Sequence, residues 1–214
     1  LGAAIDSYQE ALKLKPDYAE AHNNMGIVLK DKGDLEAAID SYKQVLKIKP
    51  DYAEAYLNMG NALKDNGDLK AAIDSYQQAL KIKPDYAQAH NNMGIALKDK
   101  GDLDASIDSF KQAIKITPDY ADAYYNIGVA LYDKGDLSAA IGSYKQALKI
   151  NPDFAKAWNT LRFLLQAIKQ QVPSVDKLLS RLDLQTDSNH SQIAKSILSF
   201  SLNQGGNNAE SALN

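Results

Sequence analysis

Cysteine is absent from the 214 residues, tryptophan occurs once, and proline occurs six times. Without cysteine the chain has no disulfide, no thiolate nucleophile and no thiolate to bind a metal. Compartment is left open by this, and cytoplasm is the default expectation. Basic excess is missing too, because 24 Lys and Arg stand against 27 Asp and Glu, a net charge of −3. Phosphate neutralisation needs surplus cations, so nucleic acid and anionic membrane surfaces are disfavoured as partners. No apolar run approaches the ~20 residues of a membrane span. With three histidines, and no nucleophile beside a base, no paired carboxylates and no ligand cluster in view, neither catalysis nor a cofactor or metal is expected. The 45% apolar and 24% charged residues are those of a chain that folds.

What is present is a period. The scarce prolines return at Pro50, Pro84, Pro118 and Pro152, and the 34 residues beginning at Ala19 recur from Ala53, Ala87 and Ala121. Repeat position 8 is Gly26, Gly60, Gly94 and Gly128, and position 15 is Gly33, Gly67, Gly101 and Gly135. A fixed period in this range signifies a solenoid, in which each repeat rests on its neighbours instead of a single core. The expected organisation is a half repeat at 1–18, full repeats at 19–52, 53–86, 87–120 and 121–154, a half repeat at 155–171, and capping helices with a tail at 172–214. Within the last segment, one helix is expected around Val175, Leu178, Leu179 and Leu182, and a second around Ile193, Ile197 and Leu198. The Leu1 start inside a repeat, and the apolar cluster Ala209, Ala212 and Leu213 near the end, read as a piece of something longer.

Each copy predicts two antiparallel helices. In the second, Asp51 followed by Glu54 reads as a capped helix start, and Tyr56, Met59, Gly60 and Leu63 fall on one stripe at helical spacing. Gly67 supplies a left-handed terminator. Asp68 caps the next helix, whose apolar face runs through Ala72, Ile73, Tyr76, Ala79, Leu80 and Ile82, and Pro84 punctuates its end. Small residues at Gly60 and Ala72 predict close approach of the pair.

The segment AEAYLNMGNALKDNGDLKAAIDSYQQALKIKP resembles the tetratricopeptide repeat: aromatic at 4, Leu at 7, Gly at 8, Ala at 20, aromatic at 24, Ala at 27 and Pro at 32. The resemblance covers about residues 1–171. It departs from the pattern at His22 and His90 (position 4), Ser106 (position 20), Val45 (position 27) and Arg162, where a fifth copy should have Gly. It implies an all-α, right-handed solenoid whose first helices line a concave face that binds extended peptides. His22 and His90 occupy an aromatic packing slot two repeats apart, about 20 Å at ordinary helix spacing, and read as packing residues and not as shared metal ligands.

On the first helices, positions 2, 5, 6, 9, 12 and 13 point away from the stripe that packs on the second helix, which makes them groove candidates. Position 6 reads Asn24, Asn58, Asn92 and Asn126, with Asn23 and Asn91 beside it at position 5. An amide donates and accepts, so a file of amides can pair with the backbone of an extended peptide of any sequence. The file is similar to the asparagine ladder of O-linked N-acetylglucosamine transferases; the plain alternative is a soluble surface. Lys30, Lys64 and Lys98 at position 12, with Asp31, Asp65 and Asp99 at position 13, read either as a charge-selective lining or as a solvated face. Where copies diverge on this face, Leu57, Asn61, Tyr125, Val129 and Tyr132 stand out; Tyr125 and Tyr132 read as a hot spot or as cover for the C-terminal cap. The basic clamp by which some tetratricopeptide domains hold acidic chaperone termini is absent, since no first helix has Lys at 5 or Arg at 6.

The expected function is a protein-interaction scaffold holding a peptide or partner helix in the concave groove. A second reading is the recruiting arm of a larger glycosyl-, sulfo- or methyltransferase. A third is end-to-end self-association through the Leu1 face, which carries no polar cap.

Overall fold

The computed structural model describes residues 1–171, with side chains to residue 164. The capping helices expected at 172–214 lie outside the described residues. The described residues form ten helices and no strand: α1 (Gly2–Leu14), α2 (Ala19–Lys32), α3 (Leu35–Ile48), α4 (Ala53–Asp65), α5 (Leu69–Ile82), α6 (Ala87–Asp99), α7 (Leu103–Ile116), α8 (Ala121–Asp133), α9 (Leu137–Ile150) and α10 (Ala155–Gln171). They divide into two units, α1–α7 before residue 119 and α8–α10 after it. In the first, α2 pairs with α3, α4 with α5 and α6 with α7; in the second, α8 pairs with α9 and α10 packs on α9.

The turn inside each pair follows from two residues. Gly67 takes φ +85°, as Gly33, Gly101 and Gly135 take φ +89°, +92° and +84°. A residue with a Cβ is strained there, whereas glycine is not. Asp68 then accepts from the Ala71 amide at 3.0 Å, and Asp34, Asp102 and Asp136 accept from Ala37, Ala105 and Ala139 at 3.2, 3.2 and 3.0 Å. Each carboxylate satisfies an amide that the helix itself leaves unpaired.

The start of each first helix differs from expectation. Asp51 does not cap α4; Tyr52 is the cap residue and makes no side-chain cap bond. The chain turns one residue later than the sequence pattern suggests, with the Tyr52 amide on the Lys49 carbonyl at 3.2 Å and the Ala53 amide on the Asp51 carbonyl at 3.1 Å. Tyr52 packs with Val45, Ala55, Leu46 and Ile48. Glu20, for its part, pairs with Lys49, which holds its carboxyl below the usual range through that hydrogen bond.

Close approach is achieved by setting an aromatic ring of the second helix onto the glycine of the first. A Cβ built on Gly60 would lie 2.6 Å from Cε1 of Tyr76; Gly26 meets Tyr42, Gly94 meets Phe110 and Gly128 meets Tyr144 in the same way, at 2.7, 2.6 and 2.5 Å. Tyr42, Tyr76 and Phe110 are fully buried and Tyr144 nearly so. Burying such a ring stabilises by roughly 1.5–3 kcal/mol, and it requires the seat to remain empty. The departures from the repeat pattern are absorbed locally. Val45 is fully buried, and the buried Ser106 hydroxyl donates to the Gly94 carbonyl at 2.8 Å.

Candidate functional site: the amide-lined face of α2, α4 and α6

The first helices touch one another as well as their partners: α2 meets α4, and α4 meets α6. This changes position 5. A helical wheel of one repeat leaves it free, but Asn23, Leu57 and Asn91 are 2%, 2% and 5% exposed; Asn23 meets Asn58 of the next first helix, and Leu57 clusters with Ala89 of α6. Leu57 among two asparagines at that position was the available signal. An isolated repeat cannot show the contact, since Asn58, which meets Asn23, is 35 positions away in the sequence.

The amides are joined into two short networks. Asn58 Nδ2 donates to Asn23 Oδ1 at 3.2 Å, from α4 to α2. Asn92 Nδ2 donates to Asn61 Oδ1 at 2.8 Å, from α6 to α4, and Asn91 Nδ2 donates to Asn92 Oδ1 at 3.3 Å. Asn61 Oδ1 also accepts the Tyr76 hydroxyl at 2.8 Å. Asn24 is exposed, whereas Asn58, Asn61 and Asn92 are half-buried. The buried Asn23 and Asn91 therefore hold the half-buried Asn58 and Asn92.

Lys30, Lys64 and Lys98 turn to the adjacent Asp31, Asp65 and Asp99, at 3.4, 2.8 and 2.8 Å. Charge is thus neutralised pairwise along the rim, with each lysine side chain only about a quarter exposed (28%, 27% and 25%).

In the second unit, Asn126 is half-buried on α8. Tyr125 and Tyr132 part company. Tyr125 is part-buried, its ring centroid 5.5 Å from Tyr144 and 5.4 Å from Phe154, with its hydroxyl 3.2 Å from Thr160 Oγ1. Tyr132 is 41% exposed. The structure uses Tyr125 to join α8, α9 and α10 and leaves only Tyr132 open to solvent.

Sequence reasoning missed the task of position 4. His22 Nε2 donates to the Pro16 carbonyl at 3.0 Å, His90 Nε2 to Pro84 at 3.1 Å and Trp158 Nε1 to Pro152 at 2.6 Å. A ring N–H six residues beyond the proline ties down the turn that enters the helix. Because a carbonyl only accepts, Nε2 carries the proton in both histidines, and Nδ1 is left buried without a partner. A hollow of about 520 Å³ lies beside His22, floored by Ile5, Met25, Leu29 and Ala37. Among the described residues, no group of three or more His, Asp or Glu could hold a metal ion, and no helix is long and apolar enough to cross a membrane.

The family model described as TPR repeat matches residues 1–33, 28–67, 60–101 and 94–135, and the model described as tetratricopeptide repeat matches 121–154. The chain belongs to the tetratricopeptide repeat family. Its described part is an all-α tetratricopeptide solenoid. Among solved structures it is similar to MamA, with 32% identity over 71% of this chain and 89% of that one at a TM-score of 0.65. It is also similar to YrrB, described as a TPR protein with an unusual peptide-binding site, with 26% identity over 73% and 80% at 0.63. A thermophilic TPR protein from Thermus thermophilus, with 23% identity over 73% and 86% at 0.61, shares the fold. No curated protein matches the chain. This tetratricopeptide array and its neighbours support a protein-interaction scaffold.

Proposed function

We propose that this tetratricopeptide array holds an extended peptide or partner helix along the face of α2, α4 and α6 that carries Asn24, Asn58 and Asn92, and performs no chemistry of its own. The observation that carries this reading is the hydrogen-bonded amide system linking α2 to α4 and α4 to α6. A merely soluble surface has no need to fix its amides through buried asparagines. Fixed donors and acceptors spaced along successive helices suit a polypeptide backbone, which repeats the same two groups. The position-6 amide recurs as Asn126 on α8, and Tyr132 is a further contact candidate there. Lys30, Lys64, Lys98 and their aspartates form the polar rim, which affects association rate more than affinity. YrrB, with its peptide-binding site, is a related precedent.

Affinity capture from a source lysate tests the reading, comparing wild type with Asn58→Ala/Asn92→Ala by mass spectrometry after circular dichroism has verified the fold. Specific partners retained by wild type and lost by the variant are expected. Equal capture by both would remove the amide face from the account.

A further inference from the structure

The turn between α4 and α5 differs from its counterparts at repeat position 14. That position is Lys32, Lys100 and Lys134 in the other full copies and Asn66 here, which makes Asn66–Gly67 the single Asn–Gly step in the 214 residues. Both residues are exposed, and a Cβ added to Gly67 would meet nothing within 4 Å. The Gly67 amide nitrogen therefore has no side chain of its own to shield it. Two hydrogen bonds hold the turn: the Gly67 N–H donates to the Lys64 carbonyl at 3.0 Å and the Asp68 N–H to the Leu63 carbonyl at 2.9 Å, the arrangement that closes a helix on a left-handed glycine. Asn66 has ψ −1°, so the Gly67 nitrogen eclipses the Asn66 nitrogen and is turned away from the Asn66 side chain.

We propose that Asn66–Gly67 is a self-modifying site, gated by the opening of the α4–α5 turn and converted in one direction to aspartate and isoaspartate. Once the Gly67 N–H leaves the Lys64 carbonyl and ψ of Asn66 rotates, the Gly67 nitrogen reaches Asn66 Cγ. A bond forms between them, the Cγ–Nδ2 bond breaks, and the Gly67 proton leaves with the side-chain amine as ammonia. Water then opens the five-membered succinimide at either carbonyl, giving aspartate or isoaspartate. Either product puts a new carboxylate at the C-terminal end of α4, beside Asp65 and Asp68, where the helix dipole is negative. Isoaspartate also runs the chain through Cβ and Cγ, which lengthens the backbone by one carbon, so the two turn bonds cannot both re-form. Asn58, Asn92 and Asn126 lie inside helices and precede Met59, Met93 and Ile127, whose side chains crowd the attacking nitrogen. The change is therefore confined to the second repeat.

The folded chain is incubated in mildly alkaline buffer beside a synthetic peptide of residues 61–72, and a zero-time sample of each is digested alongside. Trypsin cleaves after Lys64 and Lys70 and releases the same fragment, Asp65–Lys70, from both. Aspartyl and isoaspartyl forms of this fragment, separated by liquid chromatography with mass detection, should accumulate from the folded chain roughly 3- to 30-fold more slowly than from the peptide, because the turn must first open. Asp68→Ala removes the α5 cap and should speed the folded chain by about 3-fold relative to a peptide bearing the same substitution. Asn66→Lys, the residue of the other copies, should give no product and keep the thermal midpoint. No product from the folded chain after about thirty half-lives of the peptide would overturn the site. A folded chain that matches the peptide's rate would overturn the gating, and equal conversion at Asn58 or Asn92 would overturn the confinement to this turn.

Discussion

The Tyr76 hydroxyl donates to Asn61 Oδ1 at 2.8 Å, whereas the equivalent hydroxyl of Tyr42, opposite Ile27, is buried with no partner. The same ring fills the same glycine seat in both copies, so the difference lies in position 9 alone. Phe110, which sits in the third seat opposite Ile95, dispenses with the hydroxyl altogether. A buried unpaired hydroxyl costs ~1–3 kcal/mol, and a paired one contributes ~1 kcal/mol. Tyr42→Phe should therefore be neutral or stabilising by up to about 1 kcal/mol, Tyr76→Phe destabilising by about 1, and Asn61→Ile destabilising by ~1–3, as read from urea unfolding midpoints.

Glycine-to-alanine changes separate two kinds of site. At Gly60 a Cβ would lie 2.6 Å from the Tyr76 ring, whereas at Gly142, within α9, it meets nothing within 4 Å. Gly60→Ala should destabilise by ~1–3 kcal/mol through overpacking. Gly142→Ala should stabilise by ~0.5–1 kcal/mol, because glycine loses more freedom than alanine when a helix forms. Equal effects at the two positions in thermal unfolding would contradict the seat.

Caps behave unequally along the repeat. Asp68→Ala removes a side-chain bond to the Ala71 amide and should cost ~0.5–2 kcal/mol. Asp51→Ala removes no cap bond and should stay within ~0.5 kcal/mol of wild type. Chemical denaturation of the two variants distinguishes them.

Stability should fall on the alkaline side. Burial pushes the phenols of Tyr42, Tyr76 and Tyr144 well above the ordinary tyrosine range, with Asp31 and Asp65 adding to the first two and Tyr125 and Asp133 to the third. The folded state then keeps protons that the unfolded chain releases near pH ~10. Protons bound exceed those of the unfolded state above that pH, so stability is complete below about pH 10 and declines as pH rises further. Urea midpoints measured from pH 8 to 11 should drop toward the upper end, and Tyr42→Phe/Tyr144→Phe should lessen the drop.

The period made the fold legible. Gly67 and Asp68 could be read locally, because the residues that decide each lie within one repeat; close approach is expected at Gly60 and Ala72, whereas the Tyr76 ring is what sits on Gly60. Two local readings went astray where packing intervened: Asp51 yields the cap position to a packed Tyr52, and position 5 is buried, Asn23 against Asn58 of the next first helix. The amide face was visible as a column of Asn at position 6. Its polarity was not, because the direction of Asn61 depends on Tyr76 and Asn92, one in the second helix of its own repeat and the other in the next. The sequence leaves Tyr125 between a hot spot and cover for the C-terminal cap; its contacts with Phe154, at the end of its copy, and with Thr160 of α10 are those of the second kind.

Photo-crosslinking from benzoylphenylalanine addresses the interaction face most directly. The label is placed at the exposed Glu54 of α4 or Gln88 of α6, and for comparison at the exposed Asp74 of α5 or Asp108 of α7, with a twelve-residue peptide selected on the folded chain by phage display as the probe. Strong crosslinks from positions 54 and 88, and little or none from 74 and 108, are predicted. Crosslinks confined to 74 and 108 would place the ligand on the second helices and contradict the amide-lined face as the binding surface.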